Sequence, residues 1–236
     1  MSAMTAVMVD VLSGAYLFGS AARGDADASS DIDVLLTYRI EPTAVQRRDA
    51  QAMAEALVGG KCSFAEYSDR RIAELFELGH LFAWHIFQEV RPIDLTTSHV
   101  EPLSRPKPYR DGLTDATQFQ RLLISTINEL RNGSESLIYE SGIAYLALRN
   151  IGMSLSYQVS SSVDFTRWAP FGLSRMMRMD DPCSLNTYEK LIAARHASQR
   201  GTRPPSIQAC SLLNELLQAE RWAAQVIERV SANANT

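Results

Sequence analysis

The sequence predicts an α+β protein, with an α/β domain over residues 1–103 followed by an all-helical domain over residues 104–236. Three observations predict it. Short apolar runs alternate with helical stretches through the first hundred residues or so, the pattern of a sheet covered by helices. The stretch "EPLSRPKPYRDG" then places Pro102, Pro106 and Pro108 where no regular helix can continue. Beyond it, apolar residues recur at three- and four-residue spacings over long segments.

In the first half, "AYLFGS" ends a strand at Ser20, and "DIDVLLTY" is a second strand. "PTAVQRRDAQAMAEALVGG" reads as a helix, with Pro42 near its first turn and Gly59 past its end. "KCSFAEYS" reads as a third strand. "DRRIAELFELGHLFAWHIFQEV" reads as helix in two pieces broken near Gly79, and "RPIDL" as a short edge strand. In the second half, helices are expected over "DATQFQRLLISTINELRNGSESL", with a break near Gly133, and over "YESGIAYLALRNIGMSLSYQV". "LNTYEKLIAARHASQR" and "SIQACSLLNELLQAERWAAQVIERV" follow, and the tail "SANANT" is expected to fray.

Composition narrows the function. A hydrophobic fraction of 46% and a charged fraction of 21% are ordinary for a globular protein. A net charge of −4 argues against broad nucleic-acid binding. No run approaches the ~20 apolar residues that span a bilayer, so no membrane partner is expected. "MSAMTAVMVDVLSG" has no basic head, which argues against a secretory signal and for a cytoplasmic protein. Cys62, Cys183 and Cys210 match no zinc spacing and read as reduced packing thiols.

The chemistry is concentrated in "LFGSAARGDADASSDIDVLL", Leu17 to Leu36. Residues two apart on a strand face one side, so Asp31 and Asp33 point together while Ile32 and Val34 face a core. Two such carboxylates repel unless a cation lies between them. Hard oxygen ligands favour Mg²⁺ or Mn²⁺, which binds carboxylates together with substrate phosphates. Gly19 and Ser20 close the preceding strand with exposed amides and a hydroxyl, and a glycine without Cβ lets a phosphate approach the chain.

"GSAARGDADASSDIDVLL" resembles the signature of the DNA polymerase β superfamily of nucleotidyltransferases, most of all the minimal nucleotidyltransferases. The matching residues are Gly19, Ser20, Ala22, Arg23, Gly24, Ser30, Asp31 and Asp33. The resemblance implies a mixed sheet and transfer of a nucleoside monophosphate, AMP from ATP, to a hydroxyl with release of pyrophosphate. It implies two metal ions, one held by Asp31 and Asp33 and a second shared with a third carboxylate. Glu66 in "KCSFAEYS" is the candidate for that third group and for the base; Asp69 is the runner-up, though a helix N-cap explains it as well. Ser20 would position a phosphate oxygen. Arg23 would neutralise phosphate charge or pair with Asp25 or Asp27.

The helical half resembles the C-terminal domains of kanamycin- and streptomycin-type nucleotidyltransferases and, more faintly, the helical HEPN partners of minimal nucleotidyltransferases. Arg149 and Asn150 in "ALRN" match the start of the HEPN ribonuclease motif, but no histidine follows and no ribonuclease is expected. Lys190, Arg195 and Arg200 either reach the triphosphate across a cleft or form a solvated basic face. Trp168 either stacks on a ring or packs an irregular segment before Pro170. His85 reads as a satisfied buried histidine. Glu129, Glu135 and Glu140 either bind a cationic acceptor or are solvated. The partners expected are a nucleoside triphosphate and a small-molecule or protein acceptor, with a homo-oligomer left open. The alternative function is a regulatory binding module of toxin–antitoxin type, acting on a partner protein through the helices.

Overall fold

Apolar residues in "LSGAYLF" build β1 (Leu12–Phe18), which runs directly into a single helical turn, α1 (Gly19–Arg23). β2 (Ile32–Tyr38) pairs antiparallel with β1, setting Phe18 opposite Asp33 and Tyr16 opposite Leu35. The computed structural model describes residues 10–26, 31–60, 62–93 and 104–234. After β2 come α2 (Ala44–Val58) and β3 (Cys62–Ser68), which lies parallel to β2. α3 (Asp69–Leu78), α4 (Leu81–Glu89) and the two-residue β4 (Arg91–Pro92), antiparallel to β1, follow. The strand order is β3-β2-β1-β4, so the sheet is mixed, as the sequence led us to expect.

The two faces of the sheet are covered differently. Ala15, Val34, Leu36 and Tyr38 cluster with Ala50 and Ala54 of α2. Tyr16, Phe18 and Leu35 cluster with Ile72, Leu75 and Phe76 of α3 and with Ala83 and Ile86 of α4. A register irregularity between Leu12 and Gly14 leaves Ser13 as an extra residue in β1. Such a bulge resets the side-chain phase, which is why Leu12 and Ala15, three apart, join one cluster.

Caps fix the helix ends. Thr43 and Gln46 form a capping box at α2, and Gly59 closes it in the left-handed conformation. Ser68, not Asp69, caps α3: its hydroxyl accepts from the Arg71 amide at 3.2 Å. Asp69 is the first residue inside the helix and accepts a hydrogen bond from Ser13 Oγ. Gly79 separates α3 from α4, where His80 Nδ1 accepts from the Phe82 amide at 3.1 Å.

Contacts divide the chain into residues 1–109 and 110–236. The expected boundary after Leu103 falls outside the described residues, and residues 104–109 pack with the first unit. Trp84 Nε1 donates to the Lys107 carbonyl at 3.0 Å, and the Arg105 guanidinium lies 5.2 Å over the Trp84 ring.

The second unit holds α5 (Gly112–Arg131), α6 (Leu137–Ser160), α7 (Ala169–Met177), α8 (Leu185–Arg200) and α9 (Ala209–Ala234). α6 packs against the other four helices. It is accordingly apolar over most of its circumference, with Ala144, Ala147, Leu148, Ile151 and Leu155 fully buried. Residues 161–168 are irregular, as expected for the segment before Pro170, and α7 starts directly after Trp168 with Pro170 in its first turn, where a missing N–H removes no helical bond. Trp168 packs 5.8 Å from Phe171 and 5.5 Å from Tyr188. The tail expected to fray is helical as far as Ala234. Among the described residues, no helix is long and apolar enough to cross a membrane.

Two outcomes follow from this packing. A Cβ at Gly152 would lie 2.5 Å from the Pro170 nitrogen and 2.6 Å from the Ala169 carbonyl carbon, so α6 and α7 touch backbone to backbone. Gly152→Ala should therefore lower stability by about 1–3 kcal/mol in urea unfolding, although alanine is the better helix former. Burial, reinforced by Glu215 and Asp181, pushes the Cys183 thiol up to about 12, while Cys210 is exposed. A thiol reagent at about pH 8 should label Cys210 in the native protein and reach Cys183 only in denaturant.

Candidate functional site

The site is built where β1 ends and β2 begins. Antiparallel pairing puts Phe18 beside Asp33, so the residue after Phe18 must turn next to that carboxylate. The residue is Gly19, at φ 68°, and a Cβ there would stand 2.6 Å from Asp33 Oδ2. Both the left-handed backbone and the close carboxylate require glycine. Ser20 follows, and its carbonyl accepts from the amides of Gly24 at 3.0 Å and Asp25 at 3.1 Å, closing α1 after one turn. Asp33 is half-buried, and Asp31 is exposed immediately before β2. Gly19, Ser20, Asp31 and Asp33 thus share one end of the sheet.

Arg23 ends α1. Its Nη1 lies 2.7 Å from Glu89 Oε2 and its Nε 3.2 Å from Asp25 Oδ1. Asp25 is one of the two partners expected from the sequence; Asp27 lies outside the described residues. Glu89 was missed. It comes from the end of α4, and His85 Nε2 lies 2.8 Å from the same Oε2. The signal was the i,i+4 spacing of His85 and Glu89 in "HIFQE".

Glu66 is corrected. β3 runs parallel to β2 with Ser63 opposite Asp33 and Glu66 opposite Leu36. Side chains alternate, so Glu66 faces the α2 side of the sheet, away from Asp33. There it meets Arg47 Nη1 at 2.7 Å, accepts from Gln51 Nε2, and lies 3.4 Å from the Tyr38 hydroxyl. Burial, with Glu66 adding to it, pushes the Tyr38 phenol up. The β3 residues on the Asp33 side are Ser63, Ala65 and Tyr67.

Lys190 and Arg195 lie on α8 of the second unit. Lys190 lines an open groove of about 350 Å³ with Thr187, Ser206, Gln208 and Ser211. The Arg195 Cα stands 3.1 Å from where a Cβ of Gly142 would be, so α6 and α8 also approach closely. Arg149 donates to the carbonyls of Phe165 at 2.7 Å and Thr166 at 3.4 Å, and Asn150 donates to the Leu146 carbonyl. Burial, and Glu129 nearby, pushes the Glu140 carboxyl up.

Among the described residues, no group of three or more His, Cys, Asp and Glu side chains could hold a metal ion. Of the three carboxylates expected for two ions, Asp31 and Asp33 share one end of the sheet and Glu66 lies on its other face. Two hard oxygen donors suit one divalent cation, which completes its shell with water and phosphate oxygens.

Residues 7–78 match the family model described as Polymerase beta, Nucleotidyltransferase. That span holds β1, α1, β2, α2, β3 and α3, and with them all four residues at the sheet end. No curated protein is significantly similar to the chain.

Gly19→Ala tests the close approach. A left-handed alanine is strained by about 1–2 kcal/mol, and the new methyl must also displace the Asp33 carboxylate. Thermal unfolding should report a loss of at least this size, whereas Gly24→Ala, with open space around its Cβ, should report the conformational strain alone.

Proposed function

We propose that this chain, whose residues 7–78 match the polymerase β nucleotidyltransferase model, moves AMP from ATP to a hydroxyl of a small molecule or protein. The acceptor oxygen bonds to the α-phosphorus, the bond from that phosphorus to the bridging oxygen breaks, pyrophosphate leaves, and the acceptor proton passes to solvent. The observation that carries this reading is the Asp33 carboxylate set against a glycine that only a Cβ-free residue can occupy.

Each residue has a part. Asp31 and Asp33 would hold Mg²⁺ or Mn²⁺, which when bound neutralises phosphate charge and supplies Lewis acidity. The bare Gly19 backbone leaves room for a phosphate beside Asp33, and the Ser20 hydroxyl donates to a phosphate oxygen. Arg23 adds positive charge at the end of the same turn. Glu66 holds α2 to the sheet through Arg47 and Gln51 and takes no part in the chemistry.

A second reading keeps some support. Glu66, the acid expected to complete the carboxylate set, faces α2, which is what a regulatory module that binds nucleotide without transferring it would tolerate. Such a module would bind a partner chain, and capture of that partner with and without ATP would reveal it.

The test is incubation of the full chain with labelled ATP, GTP, CTP and UTP, Mg²⁺ or Mn²⁺, and a panel of hydroxyl acceptors, reading pyrophosphate release. Asp33→Asn should lower transfer by about 100-fold or more, the loss of several kcal/mol of charge stabilisation. Glu66→Gln should keep transfer within about threefold and instead lower stability by about 1 kcal/mol. An inactive, fully folded Glu66→Gln would return that carboxylate to the chemistry.

A further inference from the structure

α1 is five residues long, far too short to hold its own shape. Something else must keep the Gly19–Ser20 turn beside Asp33, and α4 supplies it. Before the turn, the Phe18 ring stands edge-on to His85 at 5.3 Å and to Phe82 at 5.9 Å. After the turn, Arg23 Nη1 meets Glu89 Oε2 at 2.7 Å, across 66 residues of sequence. The two grips converge, because His85 Nε2 lies 2.8 Å from the oxygen that Arg23 uses.

Burial ranks the two bridges of Arg23. The Glu89 side chain is 8% exposed, whereas Asp25 is 41% exposed. The Asp25 bridge is screened by water and holds little. A carboxylate as buried as Glu89 needs its partners, and removing one is felt strongly. Glu89 lies outside the matched residues 7–78 and opposes neither Asp31 nor Asp33 in the sheet.

We propose that Glu89 is a positioning residue: acting through Arg23, and steadied by His85, it fixes the Gly19–Ser20 turn in place beside Asp33. It touches neither phosphate nor cation. The inference rests on the preceding functional reading only for the use of the turn; the fixing itself is a property of the free protein.

The experiment compares the full-length wild-type chain with Glu89→Gln, Arg23→Gln and the double variant. The first readout is amide hydrogen exchange over residues 19–25 without nucleotide, alongside thermal unfolding. The second is binding of ATP, GTP, CTP and UTP with Mn²⁺. Glu89→Gln should speed exchange over residues 19–25 by about tenfold while core amides of β2 stay protected. Arg23→Gln, which breaks the bridge from its less buried side, should do the same. The double variant should be no faster than Arg23→Gln alone, since the two residues act as one unit. Nucleotide binding should weaken about tenfold in step. Unchanged exchange in Arg23→Gln, or additive effects in the double variant, would overturn the proposal. If exchange rises as expected but the wild-type chain binds none of the four nucleotides, the positioning role stands and the nucleotidyltransferase reading falls.

Discussion

The antiparallel pairing of β1 with β2 sets Phe18 beside Asp33, and the arrangement of the first unit depends on that register. A shift of one residue would turn Asp33 into the face that Val34 and Leu36 fill, against Ala50 and Ala54 of α2. The same shift would turn Leu35 out of the cluster with Ile72 and Ile86. The apolar residues on both faces therefore hold the polar end of the sheet in register, although none of them approaches it. Gly19 is the point where this constraint reaches the backbone, because the residue after Phe18 has no direction to take except against the Asp33 carboxylate.

Carboxylates in this unit divide by what neutralises them. Glu66 and Glu89 are largely enclosed, and each is met by an arginine from a neighbouring helix: Arg47 of α2 for one and Arg23 of α1 for the other. Those pairs tie elements together across the two sides of the sheet. Asp31, exposed, and Asp33, half-buried, stand at the end of β2 instead. Glu66 and Glu89 thus lie on opposite sides of the sheet, each binding a helix on its own side.

Much of the fold was legible because it rests on local signals. Pro42 precedes α2 and Gly59 ends it, Gly79 breaks the helix that follows β3, and "LNTYEKLIAARHASQR" is α8 from its first residue to its last. The Gly-Ser turn and the Asp-x-Asp pair were legible because one motif carries them in twenty residues. What was not legible was non-local. The side that Glu66 faces depends on its register against β2, with Ser63 rather than Glu66 falling opposite Asp33, and no property of "KCSFAEYS" alone states that register. The Arg23–Glu89 bridge joins residues from two helices far apart in the chain. α7 was missed for a different reason: it is only nine residues long, and Pro170 in its first turn is its one start signal.

The extra residue at Ser13 divides β1 into two lengths read in different phase. From Gly14 to Phe18 the phase is set by pairing with Thr37 to Asp33 and by the turn; at Leu12 it is set by pairing with Tyr38 and by the core around it. Sequence drift on the far side of Ser13 can be absorbed there without rotating Phe18 or moving Gly19. A strand built this way insulates its working end from its origin, so a lineage can remodel the approach to the sheet while inheriting the turn intact.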